Sequence, residues 1–446
     1  MAKKSAIKFV CNSCGDIFAS WSGRCTSCGE WNTLQEQIAP VKGIGTEGRL
    51  LNVEKLSKLV SADTVKRIKT NIIDVDNVLG GGIVPGSCVL LAGEPGIGKS
   101  TLLMQLASSV AKNHKVLYVS GEESSHQVAL RATRLGVSEE GLAIATTSSV
   151  NNIVATIESH AYDLVIVDSI QTVGLDEVGT AVGSVSQITN STHVLSSAAK
   201  SANSALLLVG HVTKEGSIAG PKVLEHTVDT VLQLEGDRYG GFKLLRSIKN
   251  RFGSTGETGI FEMSEKGLKV VENPSAALLA ERQIADGSVV TATIEGSRAL
   301  LVEIQALVNP TNYGYPKRAA SGFDLTRLNL LLAMLERRTK LRLSDKDVYV
   351  NVVGGIKISE PAADLAVVMA IASAAKGMQL KKNAVVFGEL GLSGELRHVP
   401  FVEKRLTEAK KLGFETAIGP RTNKSIKVLS SVSSVREALN TFLEKE

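Results

Sequence analysis

Residues 93–101 read GEPGIGKST: a glycine, four residues, then Gly98-Lys99-Ser100. The apolar run SCVLLA (87–92) feeds into this stretch, and the helix-forming run LLMQLA (102–107) leaves it. A strand, a glycine-rich turn and a helix in succession turn a letter pattern into a physical site. The glycines let backbone N–H groups close around phosphate oxygens, and the helix N-terminus adds partial positive charge. On this reading Gly93, Glu94, Pro95, Gly96, Ile97, Gly98, Lys99, Ser100 and Thr101 cradle a nucleoside triphosphate, ATP. Lys99 reaches the β and γ phosphates, and Ser100 holds Mg²⁺. The plain alternative is a glycine-rich turn before an ordinary helix. The Lys-Ser-Thr sequence and the strand before it argue against that.

The 446 residues around this stretch allow roughly two to four domains. With 43% hydrophobic and 21% charged residues, the composition is that of a globular chain. No apolar run is long enough to span a bilayer. The N-terminus, MAKKSAIKFV, is basic but runs straight into cysteines without an apolar core segment. The expectation is therefore a cytoplasmic protein with no membrane partner. A net charge of +5 permits nucleic-acid contact without requiring it.

Three further aliphatic runs come after the phosphate turn: KVLYVS (115–120), DLVIVDS (163–169) and ALLLVGH (205–211). Each reads as a strand buried on both faces, with helical stretches between. The implied core is a parallel sheet with helices on both sides and ligands at the C-terminal strand ends. Asp168 closes its strand 69 residues after Lys99, the position of a carboxylate that supports the Mg²⁺ shell. Capping the next helix is its alternative role. Glu122 and Glu123 sit at another strand end, where a carboxylate can polarise the attacking water. Glu122 is favoured as the base, with Glu123 behind it. His211, with Thr213 and Lys214 just beyond it, reads either as a sensor of the γ-phosphate or as an ordinary loop histidine.

Four of the five cysteines fall within the first 28 residues. Cys11 and Cys14, then Cys25 and Cys28, form two C-x-x-C-G knuckles. Two intervening residues let paired thiolates face one ion, and four thiolates complete a structural Zn²⁺ shell. A segment this small needs the metal to fold. A redox role is the alternative, but the βαβ context for it is missing. Trp21 and Trp31 flank the second knuckle, either as packing or as a stacking surface. Cys88 lies in the strand before the phosphate turn and reads as an inert core thiol.

The stretches GGGIVPGS, GEPGIGKST, YVSGEES, VIVDSIQT and VGHVTKEG together resemble the RecA-type ATPase core. With the four-cysteine ribbon and Lys249-Asn250-Arg251-Phe252-Gly253, nearly the whole chain resembles the RadA (Sms) family of bacterial DNA repair proteins. The resemblance implies a DNA-dependent, helicase-like ATPase. It would bind single-stranded and branched DNA, promote branch migration of recombination intermediates, and work beside a RecA-type recombinase. It also implies a homo-oligomer, a hexameric ring, and ties the KNRFG residues to ATP hydrolysis. Physically, Lys249 and Arg251 are two apart in an extended turn and can reach a neighbouring subunit's γ-phosphate. A plain basic turn is the other reading. The glycine-rich stretches 172–189 and 214–229, with Lys214 and Lys222, occupy places that contact single-stranded DNA in such motors. They also fit plain surface loops.

From about residue 276 the pattern changes to α+β, and this region resembles the C-terminal domain of Lon protease. The protease nucleophile position is filled by Ala362, within Glu360-Pro361-Ala362-Ala363-Asp364. Its partner lysine falls at Glu403, or at Lys404 with a slip of one. Without a hydroxyl at Ala362 there is nothing for that lysine to activate. The basic and aromatic stretch 313–318 (YGYPKR) suits either phosphate and base contact or a solvated loop. The expected organisation is a C4 zinc ribbon (1–35), a linker (36–65), a RecA-like α/β ATPase domain (66–275) and a Lon-protease-like α+β domain without its dyad (276–446). A Lon-type ATP-dependent protease, and a RecA-fold regulatory ATPase that does not act on DNA, are the competing functions.

Overall fold

The computed structural model describes residues 7–13, 16–38, 66–211, 221–236, 241–311, 314–380, 384–422 and 426–444. Cys14, Thr213, Lys214, Tyr313 and most of the expected linker lie outside the described residues. Strands β1 (Ile7–Cys11), β2 (Ile17–Phe18) and β3 (Leu34–Ile38) form an antiparallel sheet in the order β2-β1-β3. Ile38 pairs with Ile7, so pairing continues into the stretch expected to be linker. Among the described residues the buried cluster here is Cys11, Cys25 and Leu34, with Phe9 and Phe18 against it. A core of that size cannot hold a fold by burial alone.

The chain divides into two compact units. One comprises Met1–Asn71, Gly82–Glu94 and Leu103–Val231; the other comprises Ile72–Gly81, Pro95–Leu102 and Leu232–Glu446. Residues 232–275, expected with the ATPase domain, therefore group with 276–446. The short helix α1 (Ile73–Val78) falls in this second unit.

Strand β4 (Cys88–Gly93) belongs to the first unit; the glycine turn after it and the first residues of α2 (Lys99–Ala111) group with the second unit, and the rest of α2 with the first. Then come β5 (Val116–Ser120), α3 (Ser125–Leu135), β6 (Leu142–Thr146), α4 (Val150–Ser159), β7 (Leu164–Asp168), α5 (Val185–Ser201), β8 (Ala205–His211) and α6 (Pro221–Thr227). The parallel strands lie in the order β4-β8-β7-β5-β6. Every residue of β4, β5 and β7 is buried, which is why these strands read as unbroken apolar runs. The edge strand β6 (LAIAT) is not evident from sequence; it is half-buried and alanine-rich, so it carries little signal. A capping box between Ser124 and Gln127 starts α3 and leaves Gly121, Glu122 and Glu123 as a turn at the end of β5.

In the second unit, β9 (Thr230–Gly236), β10 (Phe242–Asn250), β11 (Thr258–Ser264) and β12 (Gly267–Val270) stand in the order β12-β11-β10-β9. After α7 (Pro274–Leu279) come β13 (Ser288–Glu295), β14 (Arg298–Pro310), β15 (Arg318–Ser321), α8 (Leu325–Thr339), β16 (Lys346–Val352) and α9 (Asp364–Lys376). Next are β17 (Ala384–Val386), α10 (Val402–Lys411), β18 (Thr416–Pro420), β19 (Leu429–Val432) and α11 (Val435–Phe442). The sheet β15-β16-β14-β13-β17-β18-β19 is covered on both faces. Val289, Val302 and Ile304 meet α8 and α9, while Val290, Ala292 and Leu301 meet α10. Among the described residues no helix is long and apolar enough to cross a membrane.

Among the described residues the largest fully buried side chain is Arg405. It donates to Glu360 at 2.9 and 2.7 Å, to Pro400 O at 3.2 Å and to Ala292 O. Arg405→Ala removes the guanidinium from Glu360 and from two carbonyls. It should destabilise this domain by about 3–5 kcal/mol. The check is a lowered urea midpoint, with hydrogen-exchange protection lost first in peptides covering 290–296 and 358–366.

Candidate nucleotide site and metal ribbon

The phosphate turn forms as its sequence demands. Gly96 and Gly98 take φ of 79° and 113°, which only glycine adopts readily. A Cβ on Gly98 would lie 2.8 Å from Met263 Cε and 3.4 Å from Leu268 Cδ1, so close packing also requires glycine there. Lys99 begins α2 and is buried, and Ser100 and Thr101 continue the same helix.

The strand ends of the first unit gather several of the expected groups. Ser120 and Asp168 are partners in the β5–β7 register, and Gly93 and His211 are partners in β4–β8. Ser169 Oγ donates to Glu122 Oε1 at 2.7 Å, and His211 Nε2 lies 3.2 Å from the same oxygen. The second contact is a hydrogen bond when Nε2 carries the proton. Glu123 is engaged differently: Arg131 Nη2 forms an ion pair with its Oε1. Asp168 is buried and accepts from the Tyr118 hydroxyl at 2.6 Å. Burial, reinforced by the Asp168 charge, pushes the Tyr118 phenol far above its ordinary range, so it stays a donor. The peptide bond between Asp168 and Ser169 is cis. Sequence reasoning missed Tyr118, Ser169 and Arg131. Ser169 had a signal, since it comes directly after Asp168 at a strand end; Tyr118 looked like one more core residue of β5.

In the second unit, Lys249 lies near the end of β10, and Arg251 is exposed in the bend after it. Asn250 Oδ1 accepts from Phe252 N at 2.9 Å, and Asn250 Nδ2 donates to Val78 O at 3.5 Å. The two expected DNA loops are less loop-like than anticipated. Val185–Thr189 is already the start of α5. Gln187 Nε2 donates to Leu175 O, Val178 O and Thr180 O at 3.1, 2.9 and 3.2 Å, pinning the segment before it. In the other, residues 212–220 lie outside the described residues, and Lys222 lies on α6. Tyr315 is 89% exposed.

In the ribbon, the sulfurs of Cys11, Cys25 and Cys28 all lie within 4.8 Å of one another. Cys11 Sγ and Cys28 Sγ are 3.7 Å apart. A tetrahedron with metal–sulfur bonds of about 2.3 Å has edges of about 3.8 Å, so the sulfurs fit one Zn²⁺ shell. Cys11 Sγ is also hydrogen-bonded to Thr33 Oγ1 at 3.2 Å, an outer contact of the kind that orients ligands. Trp21 and Trp31 are 59% and 68% exposed, so they do not pack inward. Arg24 sits over the Trp31 ring at 5.8 Å. In the C-terminal domain Ala362 is buried, and Lys404 Nζ donates to Ser297 O at 3.0 Å, so no hydroxyl–lysine pair forms.

Residues 54–217 match the AAA domain family, residues 9–36 the rubredoxin metal binding domain, and residues 330–423 the family described as subunit ChlI of Mg-chelatase. With the phosphate turn and the sulfur cluster, these matches give the chain ATP with Mg²⁺ as cofactor and Zn²⁺ as the ribbon's metal. The DNA repair protein RadA of Aquifex aeolicus is 46% identical over 449 residues, covering 98% of this chain and 99% of its own. That of Bacillus subtilis is 46% identical with 99% of each chain covered, and that of Escherichia coli 43% with 99% of each. A phosphate turn alone is shared by proteins of many functions. Identity at this level from the ribbon to the C-terminal domain places the chain in the DNA repair protein RadA family, ATP-hydrolysing proteins with a RecA-like core.

Proposed function

We propose that the chain is a DNA-stimulated, helicase-like ATPase that acts in the cytoplasm as a hexameric ring. It moves along single-stranded DNA and promotes branch migration of recombination intermediates beside a RecA-type recombinase. In this reading Lys99 and Ser100 hold phosphate and Mg²⁺, Asp168 supports the metal shell, and Lys249 and Arg251 complete a neighbour's site. The ribbon docks a partner or engages DNA.

The contrast between two adjacent carboxylates carries the hydrolytic assignment. Glu123 is ion-paired with Arg131, which commits its side chain to the guanidinium. Glu122 is half-exposed and hydrogen-bonded to Ser169 and His211, so it can orient water and take its proton. The name of the relatives and the KNRFG turn support DNA as the object of this ATPase. The Lon-type alternative loses its support where Ala362 stands in place of a nucleophile.

Lys99→Ala should abolish ATP turnover while leaving the circular dichroism spectrum intact. Glu122→Gln should lower kcat by about 10²- to 10⁴-fold with nucleotide binding retained, and Glu123→Gln should cost far less; the reverse order would shift the base to Glu123. Single-stranded DNA should raise the ATPase rate, and a forked substrate should be unwound. A rate indifferent to DNA would favour a regulatory ATPase, and ATP-dependent casein cleavage that survives repurification would favour a protease. Chelation should release about one Zn²⁺ per chain and open Cys11, Cys14, Cys25 and Cys28 to maleimide. Cys88 should stay unlabelled until the chain unfolds, because burial pushes its thiol up to about 12. Labelling of Cys88 in the native chain would refute that placement.

A further inference from the structure

We infer that Arg298, in the C-terminal domain, is a positioning residue for ATP turnover, acting through Asp74 and α1 on the turn that carries Lys249 and Arg251. This rests on the proposed role of those two cations in a neighbouring subunit's site.

Helix α1 has six residues, too few to be stable alone, so its place is set by what grips it. At its start Asp74 is 1% exposed. Arg298 Nη2 donates to Asp74 Oδ1 at 2.9 Å and Nη1 to Oδ2 at 3.3 Å, while Ile260 N donates to Oδ2 at 3.0 Å. A forked guanidinium on a buried carboxylate fixes direction as well as distance. At the far end of α1, Val78 O accepts from Asn250 Nδ2. A Cβ on Gly253 would lie 3.1 Å from Gly80 Cα, so the turn rests directly against the residues just after α1. Asn250 also closes the turn through Phe252 N. The path from guanidinium to cations therefore runs through one short helix held at both ends.

Neighbouring contacts bind the same hairpin to the same strands. Ser297 Oγ donates to Glu257 Oε2 at 2.6 Å. Arg246, on the strand that bears Lys249, joins Glu295 at 2.5 Å and Glu235 at 3.0 Å. The β13–β14 turn thus grips β10, the segment before β11, and α1 together. Nothing in the catalytic chemistry needs Arg298 itself. Its removal leaves Asp74 buried with a single backbone donor, which drives α1 to move. A shift of about 1 Å in a catalytic group far from the change costs up to about 100-fold in rate.

The test uses the full-length chain. Arg298→Ala should lower kcat for ATP by about 10- to 100-fold with KM unchanged, and Arg298→Lys should recover part of the loss. Asp74→Asn is the milder variant if Arg298→Ala folds poorly. The decisive measurement mixes subunits. Arg298→Ala chains keep an intact phosphate turn, and Lys99→Ala chains keep intact cations, so mixed assemblies should regain activity that neither variant has alone. Lys249→Ala mixed with Lys99→Ala is the control. If the control recovers and the Arg298→Ala mixture does not, the inference is overturned. An unchanged kcat in Arg298→Ala also overturns it. If the control itself fails to recover, the in-trans reading of Lys249 falls, and this inference with it.

Discussion

A strand buried on both faces tolerates polar side chains only where it leaves the sheet, and that constraint assembles the reactive groups of the first unit. The strands β5 and β7 have no exposed residue, so chemistry is confined to the residues beyond Ser120 and Val167. Because the strands are parallel and in register, those ends share one edge. Glu122, Asp168, Ser169 and His211 come from three separate strand ends, yet hydrogen bonds join Ser169 and His211 to Glu122. The sheet needs no further device to collect them. It needs only aliphatic runs of matching length, and the sequence supplies these.

That is also why so much was legible. The phosphate turn, the strand-end carboxylates and the cysteine knuckles are local patterns whose physics is carried by adjacent residues. What stayed hidden depends on partners brought from afar. Nothing near Glu123 announces that Arg131, two turns into the next helix, will pair with it, or that Tyr118 will hold Asp168 from a neighbouring strand. Gln187 looked like part of a loose glycine-rich loop. Its side chain instead satisfies three backbone carbonyls and orders the segment before it. The exposure of Trp21 and Trp31 was equally unreadable, because among the described residues the ribbon's buried cluster is two cysteines and a leucine, too small to receive them.

In the C-terminal domain the loop at Ala362 serves as framework. Ala362 is packed into the cluster formed by Val290, Ala292, Phe387 and Leu406. A serine hydroxyl there would require a hydrogen-bond partner or cost free energy. Next to it, Glu360 accepts from Ile294 N at 2.7 Å and from Arg405. A carboxylate committed to a strand amide and a buried guanidinium ties this loop to β13 and α10. Lys404, one residue before Arg405, turns instead to Ser297 O. The polar side chains around Ala362 are committed to contacts that hold the sheet to its helices.

The unit that holds those contacts includes residues 95–102 as well as 232–446. The turn expected to meet phosphate packs through Gly98 against Met263 and Leu268, on β11 and β12. The strand β11 in turn receives Asp74 at Ile260 N, and Asp74 is held by Arg298. Close-packed interiors respond to displacement as discrete repackings, with little room for gradual yielding. A movement of the β13–β14 hairpin is therefore felt at α1, and through α1 at the turn that carries Lys249 and Arg251.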